Sequence, residues 1–105
     1  MIVTGGENVA PVEVESVIAD YPGVADVAVI GVPHPKWGET VKAIVVAASG
    51  TGIEADDILT FARQRLATFK CPTSVDFVTE LPRNPSGKVL KRELRKLYAN
   101  DAPGR

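Results

Sequence analysis

The sequence predicts an α+β domain, a small sheet of about three main strands packed with helices and preceded by a short N-terminal strand. Three observations carry this. Apolar, largely β-branched runs at residues 24–32, 40–48 and 74–79 have the length and composition of strands. Residues 11–21, 54–67 and 89–98 instead place apolar side chains at three- and four-residue spacing, the period of a helix. Glycine and proline clusters separate the two kinds of segment. The order is strand, helix, two strands, helix, strand, helix. Antiparallel and crossover pairings are both available to it, and the layer rules then give helices packed on a sheet.

Each element has a local cause. Met1 to Thr4 is apolar and β-prone and ends at Gly5-Gly6, so the chain opens inside a strand. Pro11 suits the first turn of a helix, Glu13 and Glu15 favour its positive end, and Val14, Val17, Ile18 and Tyr21 form its apolar face. Pro22-Gly23 stops it. The run VADVAVIGV reads as a strand covered on both faces, and residues 33–36 as a loop. In the next strand Val41, Ala43, Val45 and Ala47 fall on one side, and Lys42, Ile44, Val46 and Ala48 on the other. After a Ser49-Gly50-Thr51-Gly52 turn, acids crowd a helix start whose apolar positions are Ile58, Leu59, Ala62 and Leu66 and whose end is expected near Ala67. A third strand, SVDFVT, leads into the loop LPRNPSGK. From Val89 the pattern is helical, with Leu90, Leu94, Leu97 and Tyr98 inward and Lys91, Arg92, Arg95 and Lys96 mostly outward.

Bulk properties narrow the function classes. The 105 residues suit one domain, and 45% hydrophobic with 24% charged residues is ordinary for a globular chain. No apolar run approaches a membrane span and no signal peptide opens the chain, so a cytoplasmic location is the default expectation. The single Cys71 has no internal disulfide partner, and the lone His34 has no company for a metal site. Charge is segregated: residues 1–62 carry two bases and nine acids, whereas residues 63–105 carry ten bases and four acids. That asymmetry fits a C-terminal part that meets an anion, and equally a solvated basic helix face.

Several candidate motifs fail on inspection. Ser86-Gly87-Lys88 resembles a phosphate-binding loop, but Pro82 stands where the first glycine is required and Val89 where a hydroxyl residue is. Gly50-Thr51-Gly52 lacks the third glycine of a dinucleotide fingerprint. No Ser/His/Asp or Cys/His set is evident, and His34, between two prolines, is placed to shape a turn. What remains is Lys88, a cationic side chain between a proline-stiffened loop and a basic helix.

Two unusual segments, TGGENVAPVEVE at residues 4–15 and LPRNPSGK at residues 81–88, carry a family resemblance. In this order and separation they resemble the C-terminal domain of the adenylate-forming superfamily, which includes acyl-CoA synthetases, luciferases and peptide-synthetase adenylation domains. The intervening VIGVPHPKWGE and LATFKCP are most similar to AMP-forming acyl-CoA ligases of the fatty-acid type. The match runs from Met1 to about Tyr98.

The resemblance implies a set of roles. Residues 1–105 would be a single C-terminal lid domain beginning just after a hinge, with the large N-terminal domain absent and the fragment inactive alone. Lys88 would be the catalytic lysine, approaching the carboxylate and the ATP α-phosphate as acyl-adenylate forms and pyrophosphate leaves. Gly5, Gly6 and Glu7 would line the pantetheine channel of CoA, although a turn would also use the glycines and Glu7 and Asn8 could serve to stabilise it. Trp37 and Phe69 match positions whose rings flank the CoA adenine, with core packing as the equal alternative, and Lys70 could reach a CoA phosphate. ATP and Mg²⁺ would be held mainly by the N-terminal domain of the same enzyme, the partner of this one, and this chain supplies no metal ligands. Two residues depart from the pattern. Ala10 stands where the family often has tyrosine, and Cys71 where some relatives carry a basic residue that contacts CoA phosphates. The alternatives are a luciferase-like or peptide-synthetase adenylation domain, in which the two rings are structural, and a non-enzymatic module whose basic helix docks on an anionic partner such as nucleic acid.

Overall fold

A computed structural model describes residues 1–99 of the chain; residues 100–105 of the expected 1–105 domain lie outside the described residues. The elements are β1 (Ile2–Thr4), β2 (Glu7–Val9), α1 (Pro11–Ala19), β3 (Val24–His34), β4 (Gly38–Ala47), α2 (Ala55–Arg63), a 3₁₀ turn (Thr68–Lys70), β5 (Ser74–Phe77) and α3 (Lys91–Leu97). The expected α+β class holds, with a sheet in the order β2-β1-β4-β3 and β5 added to β4.

β4 is the central strand. Along one edge it pairs antiparallel with β3, from Val24 opposite Ala47 to His34 opposite Gly38. Its other edge is shared. β1 meets it antiparallel at Thr4 and Gly38, and β5 runs parallel from Lys42 opposite Ser74 to Val45 opposite Phe77. The parallel pair is joined through α2, as a parallel pair requires a crossover. The expected alternation along β4 is observed. Val41, Ala43 and Val45 join Val29, Val14, Ile18, Ile58 and Ala62 in a core beneath α1 and α2. Ile44 joins Ala28, Ile30, Val32, Leu81 and Leu94 in a second core beneath α3 and the loop before it. Both faces of the sheet are therefore covered, which is why β3 and β4 read as nearly continuous apolar runs.

Several boundaries differ from expectation, four of them with consequences for the surface. Glu7–Val9 is a strand, so the sheet has five strands instead of three main strands and a short N-terminal one. Gly5 and Gly6, with φ of 57° and 83°, close a two-residue hairpin turn whose twist matches the flanking strands. Pro33 and His34, expected in a loop, continue β3 opposite Glu39 and Gly38. Pro33 shares the parity of Val29, whose N–H turns away from β4 to donate to Glu15 at 2.8 Å, so its missing donor costs no ladder bond. α2 stops at Arg63, short of Ala67, although Leu66 is still buried. α3 begins at Lys91, because Val89 pairs with Arg83 and the Leu90 N–H donates to the Pro82 carbonyl at 2.8 Å. In so short a helix only Leu94 is fully buried, and Leu97, expected inward, is 73% exposed.

Polar links tie the layers. The Glu15 carboxylate of α1 accepts from the Val29 N–H on the free edge of β3 and pairs with the Lys91 ammonium of α3 at 2.7 Å. It thus blunts a sheet edge that would otherwise be a template for pairing. Lys42 is only 2% exposed, with its ammonium 3.4 Å from the Asp76 carboxylate, 3.3 Å from the Ser74 hydroxyl and 4.8 Å from the centre of the Tyr98 ring. A buried charge is tolerated where such partners surround it.

Candidate functional site

Lys88 and the aromatic residues occupy two separate places, on opposite faces of the sheet. The first is the loop over the α3 face. Asn84 organises it: its side-chain carbonyl accepts from the Ser86 N–H at 3.1 Å, the Ser86 hydroxyl at 2.7 Å and the Lys88 N–H at 3.0 Å. The Asn84 N–H donates to the Lys88 carbonyl at 3.0 Å, and the Gly87 N–H to the Asn84 carbonyl at 2.9 Å. Gly87 closes the turn at φ 89°, a left-handed value that a side chain would oppose. Leu81 and Val89, at the two ends of this miniature hairpin, pack on the core beneath α3. The backbone of Lys88 is therefore fixed while its side chain is exposed. Among the described residues no carboxylate reaches its ammonium, and α3 starts three residues later. A lysine so displayed can bring one compact positive charge to an anion outside the domain.

The second place is a cleft of about 370 Å³ at the end of the sheet where the β3–β4 hairpin turns. Thr4, Gly5 and Glu7 of the first hairpin, Trp37 and Val41 of the second, and Thr68, Phe69, Cys71 and Thr73 after α2 line it. Val41 belongs to the core beneath α1 and α2, which places the cleft on the side opposite the Lys88 loop. Trp37 and Phe69 are 43% and 39% exposed, so neither is a core residue. His34 orients the tryptophan. Its Nδ1 accepts from the N–H groups of Lys36 and Trp37, both at 3.1 Å, and its ring stacks on the indole with centroids 4.4 Å apart and planes 9° from parallel. The histidine shapes a turn, as its flanking prolines suggest, and one indole face is left for the cleft. The Gly5 N–H donates to the Trp37 carbonyl at 3.0 Å, which joins the two hairpin tips.

The structure thus brings Gly5, Glu7, Trp37 and Phe69 together and leaves two expected members aside. Gly6 is not among the lining residues, and the hairpin turn accounts for both glycines without any close approach. Lys70 is not among the lining residues either; its ammonium lies 5.7 Å from the centre of the Phe69 ring and pairs with Glu13 at 2.9 Å, so contact with a phosphate would require that ion pair to open. Thr4, Thr68 and Thr73 carry no signal of cleft placement in the sequence; the 3₁₀ turn packs beside β2 and the Thr73 N–H donates to the Val41 carbonyl at 2.9 Å, contacts between segments far apart in the chain. Burial pushes the Cys71 thiol above its ordinary range, against a smaller opposing pull from Arg63. The thiol is accordingly neutral at physiological pH, and it lies 3.5 Å from the Ala67 carbonyl. The cleft combines two half-exposed rings, three threonines, a neutral thiol and the Glu7 carboxylate, and its rings can stack on a planar group. Among the described residues no three His, Cys, Asp or Glu converge on a metal position. Nor is any helix there long and apolar enough to cross a membrane.

The basic helix is partly neutralised. Lys91 pairs with Glu15 and Lys96 with Glu93 at 3.5 Å, leaving Arg92 and Arg95 exposed.

Comparison with known proteins agrees with this architecture. Residues 13–88 match the family described as the AMP-binding enzyme C-terminal domain. The chain is 52% identical over 98 residues to a feruloyl-CoA synthase of an Amycolatopsis species, covering 93% of this chain and 20% of that protein. It is 50% identical over 103 residues to the long-chain-fatty-acid–CoA ligase FadD13 of Mycobacterium tuberculosis, covering 98% of this chain and 20% of that one. The crystal structure of ATP-bound MatB from Rhodopseudomonas palustris superposes with a TM-score of 0.91 at 48% identity, over 93% of this chain and 20% of that chain. The chain spans about a fifth of the length of each of these relatives. It belongs to the AMP-binding enzyme C-terminal domain family, within the adenylate-forming superfamily.

Proposed function

We propose that this domain works as the lid of an AMP-forming acyl-CoA ligase that converts a carboxylic acid, ATP and CoA into acyl-CoA, AMP and pyrophosphate. Its partner in this reading is the large N-terminal domain of the same enzyme, and the isolated chain has no ligase activity. The two faces serve the two half-reactions. In the first, Lys88 neutralises charge between the carboxylate and the ATP α-phosphate as the acyl-adenylate forms. In the second, the opposite face is presented. Trp37 and Phe69 receive the CoA adenine, and the Gly5-Gly6-Glu7 turn borders the pantetheine arm. Lys70 exchanges Glu13 for a CoA phosphate. Mg²⁺ supplies charge neutralisation for the ATP phosphates and is held outside these residues.

The observation that carries this reading is the display of an exposed Lys88 ammonium, without a carboxylate partner among the described residues, on a loop whose backbone is tied from within by Asn84. A relative named for long-chain fatty acids supports the fatty-acid type, while a similarly close one named for feruloyl-CoA agrees with a CoA ligase whose acid is chosen by the partner domain. The test is Lys88→Ala in the full-length enzyme. Acyl-adenylate formation, read as pyrophosphate release, falls about 10²- to 10³-fold, as for loss of one transition-state donor. Thioester formation from supplied acyl-adenylate and CoA is largely spared. Equal loss of both half-reactions would count against the reading, as would acyl-CoA formation by the purified domain alone.

A further inference from the structure

Arg83 has no part in the roles assigned so far, yet it touches the peptide unit that carries Lys88. One guanidinium nitrogen, Nη1, donates to the Gly87 carbonyl at 2.6 Å, and the other, Nη2, pairs with the Asp26 carboxylate of β3. The second oxygen of Asp26 accepts from the Val27 N–H at 3.0 Å, which fixes the carboxylate to the strand. We propose that Arg83, locked by Asp26, is a positioning residue for Lys88, transmitting the placement of β3 to the Gly87–Lys88 peptide. This rests on Lys88 being the adenylation lysine.

The linkage is specific in form. Among the described residues Asn84 bonds only within the loop, so it sets the loop's internal shape without fixing the loop against the sheet. Leu81 and Val89 anchor its two ends by apolar contact, which permits rotation. Arg83 adds a directed polar link from the loop tip to the sheet, and it needs both arms of the guanidinium fork. A lysine at this position would offer one compact ammonium in place of the planar fork that spans the two acceptors. The pair is half-exposed, 42% for Arg83 and 34% for Asp26, so it contributes little to fold stability. Its consequence is therefore expected in the geometry of Lys88, where small displacements of a reacting charge cost rate steeply.

The test uses the full-length enzyme and follows pyrophosphate release, thioester formation from supplied acyl-adenylate, and the thermal midpoint. Arg83→Gln is expected to slow adenylate formation about tenfold or more, and to leave thioester formation within about twofold and the thermal midpoint nearly unchanged. Arg83→Lys recovers only part of the lost rate. Asp26→Asn produces a smaller selective loss, and the double variant matches Arg83→Gln alone, because Asp26 acts through the arginine. The inference is overturned if Arg83→Gln leaves adenylation intact, if both half-reactions fall together, or if the Asp26 and Arg83 losses add. Lys88→Ala, run beside these, separates the two levels. Retained adenylation in that variant removes the lysine assignment and this inference with it, whereas loss there with none in Arg83→Gln removes only this inference.

Discussion

The Lys88 loop and the Trp37–Phe69 cleft are built in opposite ways. The loop is made from one continuous stretch, residues 81–90, and is held by hydrogen bonds within that stretch, most of them to Asn84. The cleft is assembled from segments far apart in sequence, two hairpin tips and the turn after α2, and is shaped mainly by packing. One presents a single charge on a fixed backbone; the other presents two half-exposed rings around an opening. The difference teaches that one sheet can carry two differently built surfaces, because alternate residues of β3 and β4 belong to different cores.

The separation of the two surfaces can be tested by mutation. The largest expected effect is at Lys88, where alanine selectively removes about 10²- to 10³-fold of adenylate formation. Asn84→Ala comes next. It deletes an acceptor of three hydrogen bonds, each worth about 0.5–1.5 kcal/mol net, and should lower adenylate formation about tenfold while thioester formation from supplied adenylate continues. Trp37→Ala is the reciprocal case. Loss of a base-stacking surface, worth about 1–3 kcal/mol, should raise the KM for CoA about tenfold and leave pyrophosphate release unchanged. If the KM does not move, the two rings are structural and the acyl acceptor is held elsewhere, as in a carrier-protein enzyme. If Trp37→Ala also impairs adenylation, the two faces are coupled and the comparison fails.

The smallest effect concerns Cys71 in the cleft. Its raised pKa keeps the thiol protonated at neutral pH, so iodoacetamide should modify it more slowly than a free cysteine at pH 7 to 8. The sign for stability follows. A folded-state pKa above the unfolded value favours the native state at neutral pH, and that contribution is lost as pH rises through the folded value. Cys71→Ser should flatten the alkaline limb of a thermal-midpoint profile by a small amount. A labelling rate equal to that of free thiol at neutral pH would show that the cleft does not shield the sulfur.

The legibility of the sequence divided along the same line. The proline- and glycine-marked loop, the faces of β4 and the existence of all three helices were readable, because each depends on residues close in sequence. Lys88 was placed correctly at an exposed junction for that reason. The strand at Glu7–Val9 was missed since two glycines before a helix start mark a turn without saying whether the chain reverses into a ladder. Leu97 was misplaced because helical spacing assigns a face but not the length of helix that a partner surface covers. The ion pair of Lys70 with Glu13, 57 residues away, has no local signal and is a tertiary matter.

By itself, then, the sequence determined the α+β class, the apolar faces, the stiff loop and the lysine it displays, all set by local propensity and side-chain period. Tertiary structure alone decided that Trp37 and Phe69 share one cleft, that His34 stacks beneath the indole, that Lys42 is buried, and that the cleft and Lys88 stand on opposite sides of the sheet. The physical reason is pairing. Which strands lie beside β4, and which segments then meet at its ends, depends on contacts between residues tens of positions apart, and periodicity carries no record of them.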